Sequence, residues 1–533
     1  MRRASPITAR VLVSRIGALP LHSLLLAIAF VVSAGFANEV PISAFARPLL
    51  LAITAAVGLT VILRLVTPSL QESSIWTSVL MVALLSLEPI RVSAGFLTVY
   101  VPPLAAIAIA GVAAYLAAAG LAMAVLRSRR SALGAARLNR VANQGAGILL
   151  VVVLLTAAIG ALPRLGTSSL ASPTPVACGS ATRNELLPDI YHILLDGYPR
   201  SDVLEDRFHH QNDGFLFALE ARGFDVARDN HSNYGTTGPT LASMFNMQYL
   251  HEIAGVAPLV GQPVRGRHEL RRAVENAALF SYLRAQGYRI ITTPSGWEHT
   301  ATRGAADESL DHGEITDFER NLIDRTWIPE LVSWFAADWY ADQQRSRVLH
   351  AFEDVARVAK RPDAAPTFLY THVPLPHLPI VFDESGPAPA TTMRDYVPGE
   401  DFTSSDDQYG PAYSSQLQFL NGLVLQAVDA ISASPRGRPA IVIIMSDHGY
   451  SHDGRSRDPH DRLSNLFAAR TPARPQLTVP PPTPVNLYRR LAGAYLGACW
   501  PELPDRYFIA PDTDRQLMQQ PIPNPDSHNA PDF

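Results

Sequence analysis

Apolar and polar positions are arranged differently before and after about residue 165. In the first part, long apolar runs with very few charged residues recur at about 21–38, 46–66, 75–90, 97–126 and 144–163. Each run approaches or exceeds the roughly 20 residues that a helix needs to cross the hydrocarbon core of a membrane. We therefore predict a membrane domain over residues 1–165 with about five transmembrane helices.

The arginines of this part predict its orientation. They are concentrated before the first run, from Arg2 to Arg15, and between the fourth and fifth runs, from Arg127 to Arg140. Arginine-rich loops stay on the cytoplasmic side of a membrane, and five helices place both clusters on that side. The N-terminus is then cytoplasmic, and everything after residue 165 is extracytoplasmic.

The remainder of the chain has the pattern of a folded α/β domain. A linker rich in Ser, Thr and Pro (166–187) is followed by short apolar runs that alternate with helical patterns. The runs lie at 189–195, 288–293, 367–372 and 439–446. Because continuous apolar runs suit strands buried on both faces, we predict a mostly parallel sheet flanked by helices. This domain covers 188–510, and a disordered tail covers 511–533.

Composition and charge agree with a membrane protein. Hydrophobic residues make up 47% of the chain and charged residues 17%, below the roughly 25% that is usual for soluble domains. Residues 1–165 carry 13 Arg and 3 Glu, a balance of +10, although the whole chain has a net charge of −4. Since these arginines lie between apolar runs, they indicate a membrane and exclude nucleic acid as the partner. The scarcity of ionisable groups inside the runs favours an anchor over a transporter.

Polar side chains follow three of the predicted strands. Asp196 ends the first, His372 ends the third with His377 five residues later, and Asp447-His448 end the fourth. Because ligands bind at the carboxyl ends of strands in open α/β sheets, we expect these side chains to converge. Carboxylates and imidazoles together are ligands of divalent metals, Zn or Mn most of all. An Asp-Gly after a strand is usually only a turn, so the prediction depends on the joint occurrence of the three strand ends.

Two adjacent threonines, Thr236 and Thr237, precede a helical pattern in the segment HSNYGTTGPTLASMFNMQYL. A threonine at a helix start can be an N-cap. It can also be a nucleophile, because a nearby divalent metal and the helix dipole both favour the ionised hydroxyl. This segment alone favours the N-cap interpretation. If a metal site lies nearby, the nucleophile interpretation is favoured instead.

With these motifs the chain resembles the alkaline phosphatase superfamily, in its sulfatase-like branch. It is most similar to bacterial membrane enzymes that transfer phosphoethanolamine or phosphoglycerol, lipoteichoic acid synthases included. The resemblance implies that Asp196, Asp447 and His448 are metal ligands. It also implies that Thr237 is both a metal ligand and the nucleophile.

The same resemblance implies the substrate side of the site. His372 and His377 match a histidine pair that holds the substrate phosphate or a second metal, and His460 falls where the transferases have another such histidine. The implied partners are membrane lipids, with a phospholipid-headgroup donor and a glycan or lipid acceptor. The implied location is the inner membrane of a bacterial cell, with the catalytic domain in the periplasm.

Several alternatives stay open at this point. The same site could hydrolyse phosphate or sulfate esters, and the outer domain could be a scaffold without catalysis. A formylglycine sulfatase needs a Cys or Ser and an Arg in a CxPxR-type motif, where this chain has Thr237 to Leu241 in the order Thr-Gly-Pro-Thr-Leu. Cys178 and Cys499 could form a disulfide or remain free thiols.

Overall fold

The structure is a computed structural model that divides into two compact units. The first unit contains Met1–Gly166 and Thr316–Ala336, and the second contains Thr167–Ile315 and Ala337–Phe533. The structure describes residues 19–85, 120, 132–161, 176–177, 187–264, 266–332, 336, 338–362, 365–387, 406–436, 439–450, 458–472, 480–511 and 515–529.

The first unit is a bundle of apolar helices. Its helices before residue 166 are α1 His22–Ala37, α2 Ala46–Arg64, α3 Leu70–Leu84 and α4 Ala132–Ala161. Among the described residues, the stretches Ile42–Arg64 and Ala136–Ile159 are long and apolar enough to cross a membrane, each with a mean hydropathy of 2.0. The helix α1 is apolar but shorter. The predicted run at 97–126 lies outside the described residues except for Gly120.

Several polar side chains are buried inside this bundle, and many large apolar side chains are exposed on its outside. Ser23, Ser74 and Thr77 are buried, whereas Leu50 is 66% exposed and Ile148 is 65% exposed. The buried hydroxyl groups bond between helices, as in the contact of 3.1 Å between Ser23 and Ser74. Water-soluble bundles have the opposite distribution, so the outer surface is suited to lipid.

The second unit is built around a seven-stranded sheet. Its strands are β2 Asp189–Asp196, β3 Asp225–Ala227, β4 Arg289–Thr293, β5 Glu308–Ser309, β6 Thr367–Pro376, β9 Ala440–Ser446 and β10 Phe467–Arg470. They lie side by side in the order β3-β10-β9-β2-β6-β4-β5. Strands β9, β2, β6, β4 and β5 are parallel, whereas β10 pairs antiparallel with both β9 and β3 at one edge. The predicted mostly parallel sheet is confirmed.

Short strand pairs complete the second unit. They are β1 Val176–Ala177 with β11 Ala498–Cys499, β7 Phe382–Asp383 with β8 Gly386–Pro387, and β12 Tyr507–Ile509 with β13 Gln520–Ile522. Cys499 forms a disulfide, and Cys178 is the only other cysteine of the chain.

Helices cover both faces of the sheet. In chain order, the α-helices described after residue 166 are α5 Ser201–Phe208, α6 Asp213–Glu220, α7 Thr237–Asn246, α8 Arg267–Glu275, α9 Ala278–Ala285, α10 Asp317–Asp324, α11 Ile328–Val332, α12 Trp339–Ala359, α13 Asp406–Ser432, α14 Pro459–Leu463 and α15 Pro484–Leu491. Of these, α10 and α11 belong to the first unit. Alternate residues of β2 enter two cores, with Ile190 and Leu194 on one face and Tyr191 and Ile193 on the other.

The tail differs from its prediction. Instead of being disordered throughout 511–533, it contains β13, which pairs with β12. Leu517 is fully buried in one of the two cores. These apolar anchors order residues 515–529 despite the prolines around them.

Candidate metal centre and active site

Three of the predicted ligands meet at the carboxyl end of the sheet. Asp196 ends β2, and Asp447-His448 directly follow β9, which is the neighbour of β2 in the sheet. His448 Nε2 lies 3.7 Å from Asp196 Oδ1 and 3.5 Å from Asp447 Oδ2. One ligand atom from each of the three residues lies within 4.8 Å of the others, and all three are buried.

The donor set fits a divalent cation. Asp196 Oδ1 and Asp447 Oδ2 are buried, and neither has a hydrogen-bond partner among the described residues. Two buried carboxylates that face each other are strongly destabilising unless positive charge compensates them. Two carboxylates and one imidazole are a ligand set that Zn or Mn accepts.

The two carboxyl groups have pKa values shifted in opposite directions. Burial raises the pKa of Asp196, but the hydrogen bond from His372 and the charges of the neighbouring histidines outweigh it, so this pKa is lowered overall. Burial and the charge of Asp196 raise the pKa of Asp447. The Asp196 carboxyl group therefore ionises at a lower pH than the Asp447 carboxyl group does.

Thr237 faces this centre from a helix start. It is the first residue of α7, and its Oγ1 lies 3.4 Å from Asp196 Oδ2 and 3.5 Å from His448 Nε2. Thr236 is the N-cap residue, and its side chain makes no capping hydrogen bond. Neither threonine therefore acts as a side-chain cap, and the hydroxyl of Thr237 points to the candidate metal ligands.

Residues that the sequence did not single out hold these groups in place. Ser232 Oγ donates to the backbone oxygen of Asp447 at 2.5 Å. His448 Nδ1 bonds the backbone oxygen of Gly449 at 2.7 Å, which leaves Nε2 directed at the site. Fixing the ring through one nitrogen is the usual way in which proteins orient a ligand histidine.

His372 and His377 lie beside the centre on and just after β6. His372 Nε2 bonds Asp196 Oδ2 at 3.0 Å, and the backbone N–H of His377 donates to the backbone oxygen of Asp196 at 3.1 Å. Trp297 packs against both rings, with centroid distances of 5.9 Å and 5.1 Å. Trp297 follows β4, so its position after a predicted strand is the signal in the sequence that indicates it.

His460 has different neighbours. Its Nε2 lies 3.4 Å from Asp202 Oδ2 and its Nδ1 lies 3.4 Å from Asp526 Oδ1. Asp526 also contacts Arg200 and His231. The structure thus brings together six of the seven predicted site residues and places His460 in a separate polar cluster.

Comparisons with known proteins agree with this architecture. The family model described as Sulfatase matches residues 195–476, which is more than half of the 533 residues. No curated protein matches the sequence significantly.

Several solved structures are distantly similar. The C-terminal periplasmic domain of EcEptC from Escherichia coli has 12% identity and a TM-score of 0.40, with 68% of this chain and 96% of that chain covered. The lipooligosaccharide phosphoethanolamine transferase A (EptA) from Neisseria meningitidis has 13% identity and a TM-score of 0.36, with 86% of this chain and 88% of that chain covered. The 2-O GAG sulfatase BT1596 has 14% identity and a TM-score of 0.38, with 60% and 72% covered.

Proposed function

Because the chain belongs to the sulfatase family, we propose that it is a membrane-anchored, metal-dependent enzyme that transfers a phosphoryl-linked headgroup through a phospho-threonine intermediate on Thr237. One observation carries the proposal. A buried hydroxyl at a helix start faces a buried cluster of two carboxylates and one imidazole. This arrangement activates an alcohol as a nucleophile.

The proposed reaction has two steps. Thr237 Oγ1 loses its proton to water and attacks the phosphorus of a phosphodiester, while the bond from phosphorus to the leaving oxygen breaks. A hydroxyl group of a glycan or lipid acceptor then attacks the same phosphorus, the bond from phosphorus to Thr237 Oγ1 breaks, and the acceptor's proton passes to Thr237 Oγ1. A divalent cation bound by Asp196, Asp447 and His448 would supply positive charge next to the ionised hydroxyl and the phosphoryl oxygens.

His372 and His377 have distinct proposed roles. His372 Nε2 is bonded to Asp196, so we assign it to positioning that carboxylate. His377 Nδ1 is bonded to the backbone oxygen of Leu378 at 2.9 Å. That leaves His377 Nε2 to give a proton to the leaving oxygen.

Hydrolysis of an ester is the second candidate function. In hydrolysis, water would replace the acceptor in the second step. The assignment to the sulfatase family favours this candidate. A sulfatase that uses formylglycine is disfavoured, because Thr237 and Leu241 stand where its motif has Cys or Ser and Arg. A scaffold without catalysis would have no use for two buried carboxylates that face each other.

Helix directions in the first unit support the proposed membrane topology. The backbone N–H groups of Leu21 and His22, at the start of α1, donate to Asn143 Oδ1 of α4. Val153 of α4 packs against the apolar cluster that contains Val31 and Ala34, near the other end of α1, so the two helices run parallel. Two parallel helices at the beginning and end of the membrane part require an odd number of crossings, as the arginine distribution does.

The proposal is tested on the full-length protein in detergent. We expect bound Zn or Mn, and turnover of a chromogenic phosphodiester that a chelator abolishes and the metal restores. Thr237→Ala should lower turnover at least about 10³-fold while metal content stays unchanged. Thr236→Ala is the matched control, because the Thr236 hydroxyl has no hydrogen-bond partner among the described residues.

The outcomes separate the candidates. Full activity of Thr237→Ala would contradict the assignment of Thr237 as the nucleophile. Turnover restricted to sulfate esters would contradict phosphoryl transfer. Product that forms only when an acceptor alcohol is present supports transfer, whereas equal product in water supports hydrolysis.

A further inference from the structure

One segment of the chain packs with the membrane helices although its neighbours in sequence belong to the catalytic unit. This docking segment, Thr316–Ala336, leaves the second unit after Ile315 and returns to it at Ala337. It contains α10 and α11. Nothing in its sequence pattern distinguishes it from the other helical segments of the domain.

Polar contacts join the docking segment to three membrane helices. Glu319 forms a two-bond ion pair with Arg47 at the start of α2. Asn38 Nδ2, at the end of α1, donates to Asn321 Oδ1 at 3.2 Å. The backbone N–H of Trp327 donates to the backbone oxygen of Leu84, at the end of α3, at 3.2 Å.

These three contact points lie at the same end of the bundle. Ser23 near the start of α1 bonds Ser74 near the start of α3, so α1 and α3 run parallel. Thr67, just after α2, bonds Ser73 near the start of α3, so α2 runs in the opposite direction. The end of α1, the start of α2 and the end of α3 are therefore at one end of the bundle. With a cytoplasmic N-terminus, this is the extracytoplasmic end. The docking segment therefore reaches the side on which the catalytic domain is expected.

An apolar contact reinforces the polar ones. Phe318 and Leu322 of α10 are buried with Val31 and Phe45 of the membrane part, and the rings of Phe45 and Phe318 lie 5.9 Å apart. Gly35 allows this packing, since a Cβ there would overlap the ring of Phe45. Small residues often permit such close approach between membrane helices.

Glu319 is held in position from its own helix. Its side chain accepts from the backbone N–H of Thr316 at 2.9 Å, and its backbone N–H donates to the hydroxyl of Thr316 at 3.3 Å. This capping box fixes the carboxylate before it meets Arg47. Glu319 is only 8% exposed, so loss of its partner leaves a nearly buried charge unpaired.

We propose that the docking segment secures the catalytic part of the chain to the membrane helices, and that this attachment is required for turnover of substrates that reside in the membrane. Attachment keeps the site near a substrate confined to a surface and so raises its effective concentration. A soluble ester gains nothing from it. The proposal rests on the proposed function for its substrate and on the contacts above for its geometry.

The first experiment tests the geometry without any assay of activity. The full-length variant Asn38→Cys/Asn321→Cys, oxidised in membranes, should form an additional disulfide that is detected by mass spectrometry after proteolysis. The pair Leu19→Cys/Asn321→Cys is the control, because Leu19 precedes the start of α1, at the opposite end of that helix from Asn38, and it should not crosslink. Absence of the 38–321 crosslink would overturn the proposal.

The second experiment tests the consequence. Glu319→Ala and Arg47→Ala should each lower release of the headgroup from phosphatidylethanolamine and phosphatidylglycerol vesicles about tenfold. Turnover of a soluble phosphodiester chromogen should change less than about twofold, since both residues belong to the first unit and the metal centre belongs to the second. The conservative variant Arg47→Lys, which keeps a positive charge opposite Glu319, should lose less than Arg47→Ala.

The control removes an ion pair elsewhere. Arg222→Ala breaks a bidentate ion pair with Asp429 on the surface of the second unit. This variant should change the turnover of neither the vesicles nor the chromogen. Equal losses on vesicles and chromogen, or no loss on vesicles, would overturn the proposal. If the wild-type protein turns over neither substrate, the proposed function fails, and the crosslink alone decides the docking.

Discussion

Gly449 shows how closely single residues are constrained around the metal centre. A Cβ at this position would overlap the backbone oxygens of Asp461 and Ser464. Its backbone N–H donates to the backbone oxygen of Arg462 at 2.8 Å. The glycine after Asp447-His448 is therefore required by the backbone that passes directly over it, and not by a turn alone.

This contact predicts a large effect of a small substitution. Gly449→Ala should lower the free energy of unfolding by roughly 2 kcal/mol or more, because backbone atoms cannot move aside as a side chain can. Gly422→Ala, in the middle of α13 with nothing within 4 Å of the new Cβ, should be neutral or slightly stabilising. Thermal unfolding of both variants tests this, and equal stability of the two would contradict the contact.

His372 is predicted to act on the metal through Asp196. Its Nε2 bonds the Asp196 carboxylate at 3.0 Å. Loss of such a supporting hydrogen bond typically lowers metal affinity about 10- to 100-fold. We expect His372→Ala to weaken binding by that amount, while His372→Asn keeps part of it. Competition with a chromophoric chelator measures the affinity. An unchanged affinity in His372→Ala would exclude the positioning role.

Residue identities at the strand ends could be predicted, whereas the residues that support them could not. Asp196, Asp447 and His448 follow apolar runs that are visible in the sequence. Ser232 approaches the backbone oxygen of Asp447 from 215 positions away, and no local pattern encodes that distance. The spacing of His460 from His448 matches that of a transferase histidine, yet His460 lies beside Asp202 and Asp526. Asp526 reaches it because the tail is ordered.

At the scale of elements, strands were easier to predict than helix ends. The strand runs agree with β2, β4, β6 and β9 within a few residues, because strands buried on both faces must be continuously apolar. The sequence over 269–287 has the pattern of one continuous helix, yet it forms two helices, α8 and α9. Asn246 inserts between them, with its Nδ2 donating to the backbone oxygen of Ala273 and its Oδ1 accepting from Ala278.

The tail is an element whose stability should depend on pH. Burial opposes ionisation of Asp526, but hydrogen bonds from His231 and Arg200 outweigh it and lower its pKa to about 2, from 3.8. A carboxyl group with a lowered pKa stabilises the fold above its unfolded-state pKa, and this contribution is lost as the pH falls through the folded-state pKa. The tail should therefore loosen between about pH 4 and pH 2.

The variant Asp526→Asn should show the same loosening at neutral pH. Hydrogen exchange of residues 515–529 should be faster than in the wild type, while the variant Asp213→Asn, at an exposed position, should leave it unchanged. Identical exchange in Asp526→Asn and the wild type would show that the apolar anchors alone hold the tail.

For the whole molecule, the membrane part and the α/β part were distinguishable from hydropathy alone. The division of the chain into units was not, because the docking segment joins residues that are 283 positions apart, as in the pair Asn38 and Asn321. A pattern of apolar positions shows which faces are buried but not which distant partner covers them. Segments such as this one are visible only in the folded chain.

The measurement that tests the central claim most directly is mass spectrometry of the full-length protein after brief incubation with phospholipid vesicles. We predict a phosphorus-containing adduct on the peptide that includes Thr237, present in the wild type and in Thr236→Ala and absent in Thr237→Ala. Accumulation should increase when the acceptor is withheld. Turnover of the lipid without any adduct on Thr237, or the same adduct in Thr237→Ala, would contradict the account.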